Sequence, residues 1–326
     1  MDRAADHRCR RGPDGRARRR LGFTVWRSQL SAGRLHVREP AAFHYIDSNN
    51  AVQDCYCFYD GGTLQWQLQQ INGTDPTAPV ESVVCKGTPL VGENPVVAVS
   101  TFANQQHFTY IDGSFNLQDC YYDGDTNDWH SQRLTGGSWP FALPAPSLYA
   151  NSGVFVCTFG NQQHFVYLDQ NLSLQDCFYD GDDNQWKLQQ ITGGAPTVKG
   201  EPVPCPTAPP PGLGFWAVCA FEDELHFTYV DDKEKLQDCV YAPGSGEPWR
   251  VQQITGGSPT VAGELVPCSS APALGGPASV STFGDQLHFT YLHNTALVSN
   301  AVPLNGYTMH DVWMEPTFRL VPVRGI

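Results

Sequence analysis

One hairpin-like segment is written several times along the chain. Residues 106–124 read QHFTYIDGSFNLQDCYYDG, and residues 163–181 read QHFVYLDQNLSLQDCFYDG. Residues 225–241 repeat it as LHFTYVDDKEKLQDCVY, and residues 42–55 carry a looser AFHYIDSNNAVQDC. A fifth copy opens LHFTYLH at Leu287 and then departs. The anchoring tyrosines Tyr45, Tyr110, Tyr167, Tyr229 and Tyr291 follow one another at steps of 65, 57, 62 and 62 residues. A repeat of that length is one supersecondary unit that cannot bury both its faces alone, so the fold must stack such units against each other.

Each well-written copy holds four strand-like runs. A β-rich run without charge comes first: VVAVSTF (96–102), VFVCTF (154–159), FWAVCAF (215–221) and ASVSTF (278–283). A polar turn leads to the HFTY run and a second turn to LQDCYY. A third turn, often Asp-Gly, leads to a run that starts near Trp66, Trp129, Trp186 or Trp249 and ends QQIT or similar. A Gly/Pro-rich connection then returns the chain to the next copy. Short runs punctuated by turn residues predict antiparallel strands. Four per unit at this spacing predict an all-β fold, a β-propeller of four-stranded antiparallel blades with about five repeats recognisable. A β-sandwich would not account for the repeat.

The repeats fall near 41–95, 96–153, 154–214, 215–277 and 278–326, the last degenerate, within a single propeller domain over 41–326. In the first copy the opening strand is faint, with 35–37 as its candidate. The fifth keeps two strands, but residues 297–303 contain no QDC and the tail matches nothing upstream. Residues 311–323 are a candidate for a strand that completes the ring.

Charge separates a leader from this body. Of 20 Lys+Arg in the 326-residue chain, 11 lie in residues 1–40 beside 4 acids, which leaves the remainder at −20. An acidic body is repelled by nucleic-acid phosphates and by anionic membrane surfaces, so neither is an expected partner. Residues 1–40 read as a basic, disordered leader without the aromatic interleaving of single-strand binders. No apolar run approaches the roughly 18 residues of a membrane span. LGFTVW (21–26) is too short for a secretory core, which leaves a soluble, cytoplasmic or non-classically secreted protein as the expectation.

Three copies share a polar pair twelve residues apart: His107 with Asp119, His164 with Asp176, and His226 with Asp238. If Ile111 faces Leu117 across the turn, alternation puts His107, Thr109, Leu117 and Asp119 on one face. The fourth strand adds Trp129, Trp186 or Trp249. A histidine, a carboxylate and an indole at one mouth suit a sugar, whose hydroxyls take the polar groups and whose apolar face takes the ring. The competing reading pairs His and Asp across the strands as internal structural partners. In the first copy Ala42 stands in the place of His107 and His44 in that of Thr109. The fifth has His288 and no carboxylate at this spacing, so three full sites at most are expected.

Two loops, YDGDTND (122–128) and YDGDDNQ (179–185), space their aspartates like an oxygen-ligand calcium loop. They lack its terminal bidentate acid, and Asp-Gly hairpin turns explain them. No metal or cofactor is expected. The eleven cysteines follow the repeat. Cys55, Cys120, Cys177 and Cys239 share one slot, and Cys85, Cys205 and Cys268 share another 30, 28 and 29 residues after a member of the first. Disulfides within a repeat would be natural, but the second copy keeps Cys120 and has no cysteine in its connection. Buried thiols acting as small apolar groups are therefore expected, and zinc-type spacing is absent. The sequence contains no nucleophile elbow, phosphate loop or HExxH, and a polar set that recurs indicates multivalent binding or architecture rather than an enzyme.

With these residues in view, QHFTYID…LQDCYYDG…W resembles the fucose-binding β-propeller lectins over residues 42–292, both the fungal fucose-specific type and the seven-bladed bacterial type. In the fungal type an arginine on the second strand and a glutamate on the third hold the fucose. By position these fall on His107, His164 and His226, and on Asp119, Asp176 and Asp238, so both groups are changed. A neutral histidine has no guanidinium fork. The resemblance implies a non-catalytic lectin with repeated inter-blade pockets for fucose or a related sugar. Glycans or glycoproteins would be its partners, and a homo-oligomer is compatible with it. The alternative is a structural or protein-interaction propeller whose His–Asp pairs are internal.

Overall fold

The computed structural model describes residues 42–322 apart from 61–62, 78–81, 94, 137–144, 151, 261–265, 272–273, 275–277, 284–285, 298–303 and 315–319. Its regular elements are all strands, grouped into five antiparallel meanders that follow one another along the chain. The first blade is three-stranded: β1 (Ala42–Ile46), β2 (Val52–Asp60) and β3 (Thr63–Gln70). The second has β4 (Val97–Phe102), β5 (Gln105–Ile111), β6 (Leu117–Asp123) and β7 (Asp128–Arg133). The third has β8 (Val154–Phe159), β9 (Gln162–Leu168), β10 (Leu174–Asp180) and β11 (Gln185–Gln190). The fourth has β12 (Pro211–Phe221), β13 (Glu224–Asp231), β14 (Leu236–Tyr241) and β15 (Trp249–Gln253). The fifth has β16 (Ala278–Phe283), β17 (Gln286–Leu297), β18 (Leu304–Met314) and β19 (Leu320–Pro322). The opening strands β4, β8, β12 and β16 neighbour one another in turn, as the inner strands of a propeller do. Residues 35–37, the candidate opening strand of the first blade, lie outside the described residues.

The hydrophobic cores lie between blades. Ile111 pairs with Leu117, Thr109 with Asp119 and His107 with Tyr121, so these side chains share a face while Phe108, Tyr110 and Cys120 take the other. Phe108, Tyr110 and Cys120 dock backward onto Val52, Ile71 and Cys85. Ile111, Leu117 and Leu134 receive Phe165, Tyr167 and Cys177 of the third blade. The same handshake joins the third blade to the fourth and the fourth to the fifth. Phe108, Phe165 and Phe227 are fully buried, and each such ring contributes about 2–3 kcal/mol through the apolar area it removes from water. The equivalent face of the first blade keeps Phe43 and Trp66 exposed at 44% and 50%, stacked on each other at 5.9 Å.

Two features of the repeat are structural. The anchoring tyrosines donate to carbonyls in the connection that precedes their own blade: Tyr110 to Pro89 at 2.9 Å, Tyr167 to Pro146 at 3.4 Å and Tyr229 to Pro209 at 2.8 Å. The glutamine of LQDC serves the turn before it. Asp112 Oδ1 accepts from the Ser114 and Asn116 amides at 2.8 and 3.0 Å, while its Oδ2 accepts from Gln118 Nε2 at 2.7 Å. Asp47 with Gln53, Asp169 with Gln175 and Asp231 with Gln237 repeat the arrangement. These Asx turns hold Asn50, Phe115, Leu172 and Glu234 at positive φ, where a side chain is strained unless its surroundings fix it. Gly92 closes the connection against this turn, and a Cβ there would lie 2.7 Å from the Asp112 carbonyl oxygen.

The fifth blade is less degenerate than its sequence suggests. Its second and third strands run on into a long hairpin from Leu287↔Met314 to Leu297↔Leu304, and residues 311–314 belong to that same blade. The register sets Asp311 opposite Thr290, the place that Asp119 takes opposite Thr109. The expectation that the fifth copy lacks a carboxylate in this slot is therefore corrected.

Candidate functional site

Asp119 is the hub of the polar face. Its Oδ2 lies 2.9 Å from His107 Nδ1 and accepts from Gln132 Nε2 at 3.0 Å, while Oδ1 accepts from Thr109 Oγ1 at 3.1 Å. An ionised carboxylate only accepts, so His107 carries its proton on Nδ1. Nε2 is left buried without a protein partner. His226 and Asp238 repeat the pattern at 2.8 Å, with Thr228 at 3.2 Å and Gln252 at 2.9 Å. His164 and Asp176 meet at 2.9 Å with Gln189 also at 2.9 Å, but Val166 replaces the threonine and leaves Asp176 Oδ1 unpartnered. The three histidines are 3%, 2% and 0% exposed and the three aspartates 0%. The pairs are buried.

The first blade has a fourth such pair, which the displacement of its histidine hides. His44 stands directly opposite Asp54. Its Nδ1 lies 2.9 Å from Asp54 Oδ1 without hydrogen-bond alignment, and Gln69 donates to Oδ2 at 2.9 Å. Sequence reasoning also missed the glutamine that serves each hub. Its signal was present: Gln132 and Gln189 follow their aspartates by 13 residues, Gln252 by 14 and Gln69 by 15.

The tryptophans require a correction. Trp129 pairs with Tyr122 and packs on Phe108 at 5.8 Å, so it points away from His107 and Asp119 of its own blade. Trp186 packs likewise on Phe165 at 5.6 Å and Trp249 on Phe227 at 5.7 Å. The indole that His107 meets belongs to the next blade. A cleft of about 500 Å³ between the second and third blades has His107, Tyr121 and Gln132 on one wall and Gln163, Tyr179 and Trp186 on the other. No Asp, Glu, Lys or Arg lines it, and Gln105, Asn161 and Asn184 add further amides. Across it Phe102 meets the Tyr179 ring at 5.9 Å, and Gln163 Nε2 donates to Ser100 Oγ at 3.0 Å.

The corresponding seams further along carry different side chains. Between the third and fourth blades Leu225 replaces Gln163, and Phe178 replaces Tyr121 and stacks on His164 at 4.9 Å. In the fourth blade Arg250 forks onto Glu224 at 2.9 and 2.6 Å, and Glu224 Oε2 lies 3.5 Å from His226 Nε2. His226 and the Arg250 guanidinium hold Glu224 down at about 2 against its burial. Burial disfavours a charged His226, but Asp238 and Glu224 outweigh it and push the imidazole up to about 9.

This last shift has a definite sign. The folded value lies above the unfolded 6.5, so the stabilisation is complete below about pH 6.5 and is lost as pH rises through about 9. Wild-type Tm is expected to fall more steeply between pH 7 and 9.5 than that of His226→Gln. Parallel profiles by circular dichroism would show that His226 is not the titrating group.

The Asp-rich loops are hairpin turns. Asp123 Oδ1 accepts from the Asp125 amide at 2.9 Å, and Asn127 takes φ 59 at the turn. Among the described residues no group of three or more His, Cys, Asp or Glu is placed to hold a metal ion.

No protein-family model and no curated protein matches the chain. Solved structures do match. Aleuria aurantia lectin in complex with Fucα1-6GlcNAc superposes with a TM-score of 0.50 at 14% identity, over 94% of this chain and 78% of that one. The SapL1 lectin in complex with α-methyl fucoside superposes with a TM-score of 0.50 at 10% identity, over 93% and 79%. The fold is a β-propeller. Another structure of Aleuria aurantia lectin, described as a six-bladed β-propeller with a novel fucose recognition mode, gives 0.48 at 13% identity over 88% and 74%. Fucose-binding propeller lectins are thus among the structural neighbours, and at this identity the likeness is one of fold. Among the described residues no helix is long and apolar enough to cross a membrane.

Proposed function

We propose that this protein is a non-catalytic carbohydrate-binding lectin that takes an uncharged sugar, fucose or a relative of it, in the cleft between the second and third blades. The observation that supports this is the buried, unpartnered His107 Nε2 on the wall of a cleft without formal charges that also holds Trp186. Held by Asp119 through Nδ1, the ring presents a lone pair to a sugar hydroxyl. The surrounding amides and the Tyr121 and Tyr179 hydroxyls serve the other oxygens, and the indole covers an apolar sugar face. A few neutral hydrogen bonds at about 1 kcal/mol each favour weak single-site binding, near Kd of about 1 mM. No carboxylate lines the cleft, so a glycosidase would find no acid–base pair there.

A glycan array with neutral, fucosylated and acidic glycans tests the reading. Binding to uncharged glycans is expected, and Trp186→Ala, assayed well below its own Tm, should reduce it at least about tenfold, a loss of about 1.4 kcal/mol. Silence across the array, or full binding by Trp186→Ala, would sink it. For the His164–Asp176 pair the apolar seam of Leu225 and Phe178 favours the structural role. His164→Ala should lower Tm and leave binding untouched.

A further inference from the structure

Cys85 lies in the connection between the first and second blades, and Cys120 on β6 of the second. The connection is fastened to the end of β3, with Val84 N donating to Gln70 O at 2.9 Å and Cys85 N to Ile71 O at 2.8 Å. From there Cys85 enters the buried cluster that contains Cys120, Phe108 and Tyr110. Cys85 and Cys120 are 5% and 0% exposed and pack in that one cluster, where Cys85 Sγ donates to His130 O at 3.2 Å and Cys120 Sγ lies 4.0 Å from Thr88 Oγ1. Cys205 and Cys239, 2% and 0% exposed, fill the same two repeat positions and belong to one buried cluster between the third and fourth blades.

We propose that Cys85 with Cys120, and Cys205 with Cys239, are two disulfide sites that staple consecutive blades. Pairing from one connection into the following blade removes the objection to pairing within a repeat. Cys120 has a partner in Cys85, and the cysteine-free connection of the second blade leaves Cys177 without one. Cys268 meets a fifth blade in which Val312 stands opposite Phe289, as Cys120 stands opposite Phe108. At the four seams between the five blades the chain thus writes two whole pairs and two half pairs.

The oxidant would be a small-molecule disulfide. One protein thiolate attacks a sulfur of the oxidant and expels one small thiolate. The second protein thiolate then attacks the mixed disulfide and expels the other. Two protein thiols are oxidised and one small disulfide is reduced to two thiols. The contact with Cys120, together with burial, holds the Cys85 thiol far above its ordinary range, so exchange belongs to folding, before the seam closes.

The full chain is refolded from denaturant with oxidised and reduced glutathione, and in parallel with reductant alone. Remaining thiols are blocked with iodoacetamide, and peptides are mapped without reduction. The expected result is two cross-linked peptide pairs, 85–120 and 205–239, with Cys177 and Cys268 alkylated. The oxidised form should melt higher by about 5 °C or more. Cys120→Ser should lose the first link alone, and Cys85→Ala should do the same if that variant folds poorly. Alkylation of Cys85 and Cys120 after oxidative refolding, or links that draw in Cys177, would overturn the proposal.

Discussion

Asp238→Ala is expected to lower the free energy of unfolding by about 3–5 kcal/mol, the range for removing one partner of a buried ion pair. The carboxylate is fully buried and accepts from Thr228 and Gln252 as well as facing His226. Its loss orphans two donors and removes the main counter-charge of an imidazole that the intact site keeps protonated up to about pH 9. Asp176→Ala removes a hub with one donor fewer, because Val166 stands where Thr228 stands, and should cost about 2–3 kcal/mol. Urea unfolding of the two variants gives the comparison. If Asp176→Ala proves the more damaging, the hub is not what holds these strands.

Phe165→Ala should cost about 3–5 kcal/mol and also weaken sugar binding, although Phe165 does not line the cleft. The ring is fully buried in the seam between the second and third blades, packed with Ile111, Leu117 and Leu134. It backs Trp186 at 5.6 Å, with Tyr179 as the other support at 5.5 Å. Without it the indole has a cavity behind it in place of a wall. Urea unfolding reads the first effect, and titration well below Tm with an uncharged fucoside reads the second. Lost stability with unchanged affinity would mean that Tyr179 alone orients the indole.

Local chemistry was legible in the sequence, and neighbourhood was not. Alternation along HFTYI and LQDC put His107, Thr109 and Asp119 on one face, and the Ile111↔Leu117 register bears that out. A repeat describes one unit, however, and carries no statement about which face meets which neighbour. Within one unit the tryptophan reads as the partner of its own histidine, whereas Trp186 shares a cleft with His107 of the blade before. Spacing failed where the hairpin changed length: Asp311 lies 23 residues beyond His288, against 12 between His107 and Asp119, because β17 and β18 extend past the usual turn. His44 is shifted by two positions from the place of His107, and a shift of two keeps a side chain on the same face of a strand, opposite Asp54. The open cleft needed both blades at once. Gln163 and Leu225 occupy equal places in the repeat, and only their neighbours show that one borders a cleft and the other is buried in a hydrophobic cluster.

Docking between blades has a direction. Each sheet presents its Phe and Tyr backward, onto the aliphatic residues of the sheet before it. A chain leaving the ribosome therefore has the receiving surface made before the rings that will cover it. Each new blade can settle as soon as its own four strands exist, and no aromatic face has to wait in water for sequence still to come. Threading and assembly run the same way, one seam at a time.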